Sequence, residues 1–373
     1  MRLSGKVVEY FVVSRILVVS AALAGSRLIA ANDLKGMWNV PVPFFNLFAR
    51  WDSNMYLSIA SNGYSVSSNW AFRPLFPMFL RVSSIPFSTF FSIDASLAVG
   101  GFFLDAVFFL AALFVIHNLT QRLFSERVAD TAVLLLAFCP AGVFFSAIYP
   151  ESLYLLLLAI SFYFIALEKN RLSGVTGYFA GLTRPEGIFI ALPVFLKSFK
   201  AKAAVKQKIS SFVPCLITLC SLLTIFMLAW LVTGNVSVVF SSELGWDRVT
   251  LWQAILSPSR ALNWGFLEFY VASVSTIAIS VASVSGFFIQ NRTRLSEHPL
   301  LPYYVYALSL LLFYLVVADA KSLTRYLSAL VPVYWALALW MEKKKFAKPV
   351  VLTLFAVQMV VGTVLFVNWY PFV

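Results

Sequence analysis

The residues best suited to chemistry stand just past the first long apolar run, in Phe48-Ala49-Arg50-Trp51-Asp52-Ser53-Asn54-Met55-Tyr56-Leu57. A cation, an indole and a carboxylate packed together where a chain leaves a bilayer are expensive to place and hard to explain as packing. A carboxylate at a membrane surface suits a general base, provided that it is ionised, a state that a neighbouring arginine favours. Asp52 is that candidate. Arg73, Glu151, Arg184, Glu186, Lys321 and Arg325 stand at or near the same side of the membrane. Lys321 and Arg325, in Asp319-Ala320-Lys321-Ser322-Leu323-Thr324-Arg325-Tyr326, are one helical turn apart. That spacing puts both cations on one helix face, where they suit a phosphate. An outward carboxylate, a pair of cations and an aromatic-rich membrane cavity fit group transfer from a lipid-linked phosphate donor. The acid would take a proton from an acceptor hydroxyl while the cations stabilise the departing phosphate.

Packing offers a competing account of several of these charges. Arg50 can sit among headgroups, and Asp105 can be an interhelical polar contact. Glu151, after Pro150, can be a helix-start carboxylate favoured by the helix dipole. Arg184 and Glu186 can be a structural pair closing a turn.

The elements that must position these residues are membrane helices. Of 373 residues, 61% are hydrophobic and 12% charged, and the mean hydropathy is +0.86; soluble domains are about half apolar and a quarter charged. Apolar stretches of about 20 residues recur from end to end, each able to cross a hydrocarbon core. The chain is expected to be an all-α polytopic membrane protein, a single domain over 1–373. It should have about 9–11 transmembrane helices, with interfacial helices in its first extracytoplasmic loop. Continuous rather than alternating apolar runs exclude a barrel. Arg2 and Lys6 precede an apolar run without a convincing cleavage site, so the first helix is expected to remain.

Helices are expected at about 10–31, 96–117, 129–147, 151–167, 209–233, 263–289, 299–318, 326–341 and 349–369. Two short half-helices, at about 173–183 and 187–196, flank Thr183-Arg184-Pro185-Glu186-Gly187. Basic residues gather in loops 118–128, 168–171, 197–208, 290–298 and 342–348. All five fall on the cytoplasmic side if 173–196 enters and returns on one side, which also puts the N-terminus in the cytoplasm and the C-terminus outside. The long non-spanning region 32–95 carries Asp33, Lys35 and Trp38, the Asp52 segment, and Ala71-Phe72-Arg73-Pro74-Leu75-Phe76-Pro77. A short amphipathic helix is expected over Asp52–Ala60, with Met55, Ile59 and Leu57 on its apolar side. Pro74, Pro77 and Pro86 argue against a spanning helix over 74–91, which is placed in the interface. A crossing there would invert every downstream loop, against the charge pattern.

The net charge of +12 reflects loop cations that orient helices rather than nucleic-acid binding. Cys139, Cys215 and Cys220 lie in apolar runs without metal-ligand spacing or a disulfide framework, and His117 and His298 are far apart. The chain has no P-loop, dinucleotide fingerprint or long repeat. No cofactor is called for. The mechanism requires no metal, although Asp52 with Glu151 or Asp247 could hold one. Asn235-Val236-Ser237 is an outward sequon.

Several stretches together resemble the PIG-V family, the second mannosyltransferase of GPI-anchor synthesis. Arg50-Trp51-Asp52, Leu57-Ser58-Ile59-Ala60, Gly63-Tyr64 and Ala71 to Pro77 resemble its first luminal region. Phe138-Cys139-Pro140-Ala141-Gly142 through Tyr149-Pro150-Glu151-Ser152-Leu153 is similar to its Asn-Pro-Ala, Tyr-Ser-Glu-Ala-Leu motif. Thr183 to Gly187 stands at its Thr-Arg-Ser-Asn-Gly type turn. Thr324-Arg325-Tyr326-Leu327 and Pro332-Val333-Tyr334-Trp335 are similar to its late elements. The resemblance implies a GT-C glycosyltransferase fold, a dolichyl- or polyprenyl-phosphate mannose donor and inversion to an α-mannoside. It makes Asp52 the base, with Arg50, Trp51, Tyr56, Arg73, Tyr149, Glu151, Arg184, Glu186, Lys321 and Arg325 shaping the donor and acceptor sites. Pro185-Glu186 in place of Ser-Asn, short outer loops and Arg73 in an apolar position depart from the eukaryotic pattern. They point to a prokaryotic relative with a lipid- or protein-linked glycan acceptor. The implied site is the plasma membrane if prokaryotic, the endoplasmic reticulum if eukaryotic, with chemistry on the outer side.

Two other functions fit the same charges. A transporter or flippase of a lipid-linked sugar would also carry intramembrane charges and a broken helix. It should show two related halves and charges at the midplane, neither of which is apparent. A non-catalytic subunit presenting substrate to another enzyme would not need Asp52.

Overall fold

The computed structural model describes residues 4–32, 40–198, 205–244, 267–317, 322–344 and 346–370. Asp33, Lys35, Trp38, Asp247, Asp319 and Lys321 lie outside the described residues. The described residues form helices and connecting turns, in the order α1 (Gly5–Leu28), α2 (Pro43–Asn46), α3 (Ser53–Asn62), α4 (Leu75–Ser84), α5 (Ile93–Leu123), α6 (Glu126–Ala137), α7 (Glu151–Ala166), α8 (Asn170–Thr183), α9 (Ala191–Ser198), α10 (Val205–Thr233) and α11 (Val238–Leu244). These are followed by α12 (Leu267–Gln290), α13 (Leu301–Val317), α14 (Leu323–Leu327), α15 (Val331–Lys343) and α16 (Ala347–Val367).

Four of the described stretches are long and apolar enough to cross a bilayer: Gly5–Leu28, Ile93–Leu123, Ser210–Thr233 and Ala347–Val367. Shorter apolar helices cover Leu75–Phe87, Glu151–Ala166, Val274–Gln290 and Leu301–Val316. The protein is an integral membrane protein and all-α over its described residues.

Two expected helices are interrupted. The helix anticipated over 129–147 ends at Ala137. Pro140 has no N–H for an intrahelical bond, and the chain continues irregularly, with one 3-10 turn over Gly142–Phe145. The helix anticipated over 326–341 is two pieces, α14 and α15, separated by residues 328–330. Pro332 sits in the first turn of α15, where its missing N–H is harmless. The part of the 263–289 helix before Leu267 lies outside the described residues.

The chain divides into two compact units. The first is Met1–Met37, Leu113–Ser146 and Arg248–Val373; the second is Trp38–Ala112 and Ala147–Asp247. In the first, α1 packs against α16 and α6, while α15 packs on α6. Lys6 Nζ and Asp130 lie 2.5 Å apart, and the His117 ring is 3.0 Å from the same carboxylate.

In the second unit, α8 packs on α10 and on α7. Close approach needs small residues: a Cβ on Gly174 would strike the Pro214 backbone, and one on Gly181 would strike Ser221. Thr218 Oγ1 donates to the Gly174 carbonyl at 3.2 Å, tying the same face. Pro185 stops α8, and Arg184 before it is extended at φ −147° and ψ 144°. Helices α3 and α4 pack on each other. Although Pro77 lies within α4, it falls in the first turn, so the helix forms and ends after ten residues. Met78 and Val82 are exposed along it, and Ile85 just past its end, while Phe76 and Leu80 are buried, an amphipathic pattern that suits an interfacial helix.

Candidate active site

Asp52 is the residue immediately before α3, half-buried, and its carboxylate does not cap that helix. The turn that presents it is unusual. Trp51 has φ +56°, the left-handed region that costs a residue with a Cβ about 1–2 kcal/mol. Such conformations persist where surrounding contacts hold them, and they concentrate at functional sites.

The holding contacts come from the segment before α7. Tyr149 Oη accepts the Asp52 backbone N–H at 3.0 Å and donates to the Arg50 carbonyl at 3.4 Å. The Ile148 N–H donates to the Phe48 carbonyl at 3.0 Å, and the Tyr149 N–H donates to Asp105 Oδ2 at 3.3 Å. Asp105 therefore makes the polar contact anticipated for it, and it anchors Tyr149. Both sides of Trp51 are thus bonded to a single phenol. Burial lowers the Arg50 guanidinium to about 10.

An aromatic cluster adjoins Tyr149. Tyr56 meets Phe72 and Phe76 edge-on, at 5.0 Å and 5.3 Å, and Tyr149 at a tilt, at 6.3 Å between ring centroids. Tyr64 stacks on Trp70 at 4.3 Å, and its hydroxyl donates to the Phe72 carbonyl at 2.7 Å. Burial raises the Tyr64 phenol, with Arg73 opposing that shift; Arg73 itself is 8% exposed. On α3 the packed face includes Tyr56, Leu57, Ile59 and Ala60, while Met55 is only partly buried.

Arg184 joins two carboxylates in the same unit. Its guanidinium is ion-paired to Glu151 in the first turn of α7 and to Glu186 in the following 3-10 turn. It also lies 5.8 Å from the Tyr154 ring centroid. All three charged groups are below 10% exposure: 8% for Arg184, 5% for Glu151 and 5% for Glu186. Pairing keeps such charges tolerable, and loss of one partner would leave an uncompensated charge.

Arg325 belongs to the first unit, on α14. Its guanidinium lies 4.8 Å from the Tyr326 ring and 5.6 Å from the Phe144 ring, and Nη2 donates to the Tyr326 hydroxyl at 3.0 Å. Tyr326 in turn stacks on Tyr314 at 5.0 Å. The aromatic faces set the plane of the guanidinium fork. Its proposed companion, Lys321, lies outside the described residues.

A family model described as mannosyltransferase (PIG-V) matches residues 4–228, more than half of the chain. The chain belongs to that family. The matched PIG-V region includes Asp52, Arg73, Tyr149, Glu151, Arg184 and Glu186. GPI mannosyltransferase 2 of Drosophila pseudoobscura pseudoobscura is 34% identical over 112 residues, 28% of this chain and 24% of that protein. GPI mannosyltransferase 2 of Schizosaccharomyces pombe is 26% identical over 192 residues, 48% of this chain and 40% of that one. The matches thus span less than half of either relative. The oligosaccharyltransferase of Archaeoglobus fulgidus in its apo form covers 96% of this PIG-V chain with 56% of its own, at 14% identity and a TM-score of 0.47.

Within the second unit the fold assembles Arg50, Trp51, Asp52, Tyr56 and Tyr149, and separately Arg184 with Glu151 and Glu186. Sequence reasoning did not single out Phe76, which packs on Tyr56, or Arg15, a cation inside α1. An arginine within an apolar run is itself a visible signal; the role of Phe76 needed the fold.

Proposed function

We propose that this chain is an inverting membrane mannosyltransferase. It would move mannose from dolichyl- or polyprenyl-phosphate mannose to a lipid- or protein-linked glycan on the extracytoplasmic side, within the GT-C architecture implied by the family resemblance. Asp52 takes the proton of an acceptor hydroxyl as that oxygen attacks the anomeric carbon. The bond between that carbon and the phosphate oxygen breaks, and the lipid phosphate leaves with the electron pair. Attack from the face opposite the phosphate turns a β-linked donor into an α-mannoside. Arg325, with Lys321, stabilises the departing phosphate. Arg50, Trp51 and Tyr56 line the base. Arg73, Glu151, Arg184 and Glu186 shape the substrate sites.

The observation that carries the reading is the anchored, left-handed turn that presents Asp52, with Tyr149 bonded on both sides of Trp51. A carboxylate that served only packing would not call for a strained backbone clamped by a buried phenol. Family membership supports the same reaction class.

The test is transfer from radiolabelled dolichyl-phosphate mannose to membrane lipids, comparing the wild type with a folded Asp52→Asn variant. Removal of a general base lowers such rates by about 10²–10⁴-fold. Equal transfer by both proteins would remove Asp52 from the chemistry, and no transfer by either would favour a transporter of lipid-linked sugar.

A further inference from the structure

Arg15 stands near the middle of α1, about 15 Å along the helix from Gly5, and is 9% exposed. A guanidinium inside a span is costly and marks a functional hypothesis by default. Its donors converge on one stretch of chain. Nη1 donates to the Gly142 carbonyl at 2.8 Å and to Ser146 Oγ at 2.8 Å, and Nη2 donates to the Ala137 carbonyl at 3.2 Å. Nε reaches Ser14 Oγ at 3.4 Å.

These acceptors bracket the break after α6. Ala137 is the last residue of that helix, so its carbonyl has no intrahelical partner. Gly142 opens the 3-10 turn and Ser146 follows it. Irregular backbone at membrane depth is tolerated only where protein groups satisfy it, and here one side chain serves both ends of the turn. A Cβ on Gly142 would press on the Met359 side chain, which would have to shift.

The chain leaving Ser146 becomes the clamp on Asp52 almost at once. Ile148 bonds the Phe48 carbonyl, and Tyr149 bonds the Asp52 amide and the Arg50 carbonyl. We infer that Arg15 is a positioning residue: by fixing residues 142 and 146 it sets, through the chain, where Tyr149 holds the Asp52 turn. This rests on Asp52 being the base.

The alternative is that Arg15 only satisfies a helix end during folding. Amide hydrogen exchange on the full chain separates the two without any substrate. In Arg15→Lys, and to a smaller extent in Ser146→Ala, peptides covering 48–56 should exchange faster, by about tenfold in Arg15→Lys. Peptides around Gly25 should be unchanged. With dolichyl-phosphate mannose as donor, kcat should fall while the donor KM holds. Faster exchange confined to 138–147, with 48–56 unchanged, would overturn the inference. If Arg15→Lys does not accumulate folded, Ser146→Ala decides by the same peptides. A failure of Asp52→Asn to abolish transfer would sink the base assignment, but not a measured coupling between Arg15 and the 48–56 turn.

Discussion

One phenol spans the turn that carries the candidate base: Tyr149 Oη accepts from the Asp52 amide at 3.0 Å and donates to the Arg50 carbonyl at 3.4 Å. Removing that oxygen leaves a donor and an acceptor of a strained turn short of one partner each, at a cost of about 1–3 kcal/mol. Tyr149→Phe keeps the ring contact with Tyr56, so the fold should survive. A displaced carboxylate of the order of 1 Å can cost about 10²-fold in rate. Tyr149→Phe should therefore lower kcat by about 10–10²-fold while the donor KM changes little. Steady-state transfer on matched amounts of folded protein checks this, and an unchanged kcat would detach Tyr149 from the mechanism.

Trp51 allows the strain to be measured apart from the indole. Trp51→Ala removes the ring but keeps a Cβ at φ +56°. Trp51→Gly removes the ring and the backbone penalty together. The glycine variant should be more stable than the alanine variant by about 1 kcal/mol or more, read as the difference in thermal unfolding. Equal stabilities would mean that the turn relaxes once the indole is gone. Both should transfer poorly if Trp51 lines the substrate.

The Arg184 network predicts that one change costs more than three. Arg184→Met strands Glu151 and Glu186 below 10% exposure, and breaking a buried pair this way costs about 3–5 kcal/mol. The triple variant Arg184→Met, Glu151→Gln, Glu186→Gln removes all three charges and should recover much of that loss. Unfolding midpoints of the two variants test the electrostatic part. Transfer by the stable triple variant then tests the substrate role: activity near wild type would make the network purely structural.

Much of this arrangement was legible in the residues alone. The period and length of the apolar runs gave α7 and α16 to within two residues and α1 and α5 to within six, because each is a continuous run between polar loops. Arg50-Trp51-Asp52 was visible as costly polar residues outside a span, and the stop at Arg184-Pro185 as a proline. The break after Ala137 was harder to see, because Phe138 to Ile148 is as apolar as a helix and only Pro140 and Gly142 hint at the interruption. Tyr149's two bonds to the Asp52 turn and Arg15's three bonds to the break join residues about a hundred positions apart or more. Local pattern carries no information on such pairs, whereas a buried donor inside a membrane must find some partner. Sequence could therefore flag Arg15 as unusual without naming what it holds.

Gly187 tests whether the geometry around Glu186 is as tight as the backbone requires. It lies in the 3-10 turn after Pro185, and its N–H donates to the Arg184 carbonyl at 3.0 Å. A Cβ there would press into the backbone of Ala180 and Gly181 in α8, which cannot turn aside as a flexible side chain could. Overpacking of this kind costs about 1–3 kcal/mol and shifts backbone. The shift would fall on the neighbouring residue, Glu186, and so on its ion pair with Arg184. Gly187→Ala should lower the unfolding midpoint and also raise KM for the acceptor or the donor, whichever Arg184 and Glu186 serve. Gly63→Ala makes the contrast: that glycine has φ +69° and ψ −159°, a conformation nearly confined to glycine, but open space around its Cβ, so it should lose about 1–3 kcal/mol of backbone energy and keep its KM values. If the two variants behaved alike, close approach at Gly187 would not be what holds the Arg184 turn.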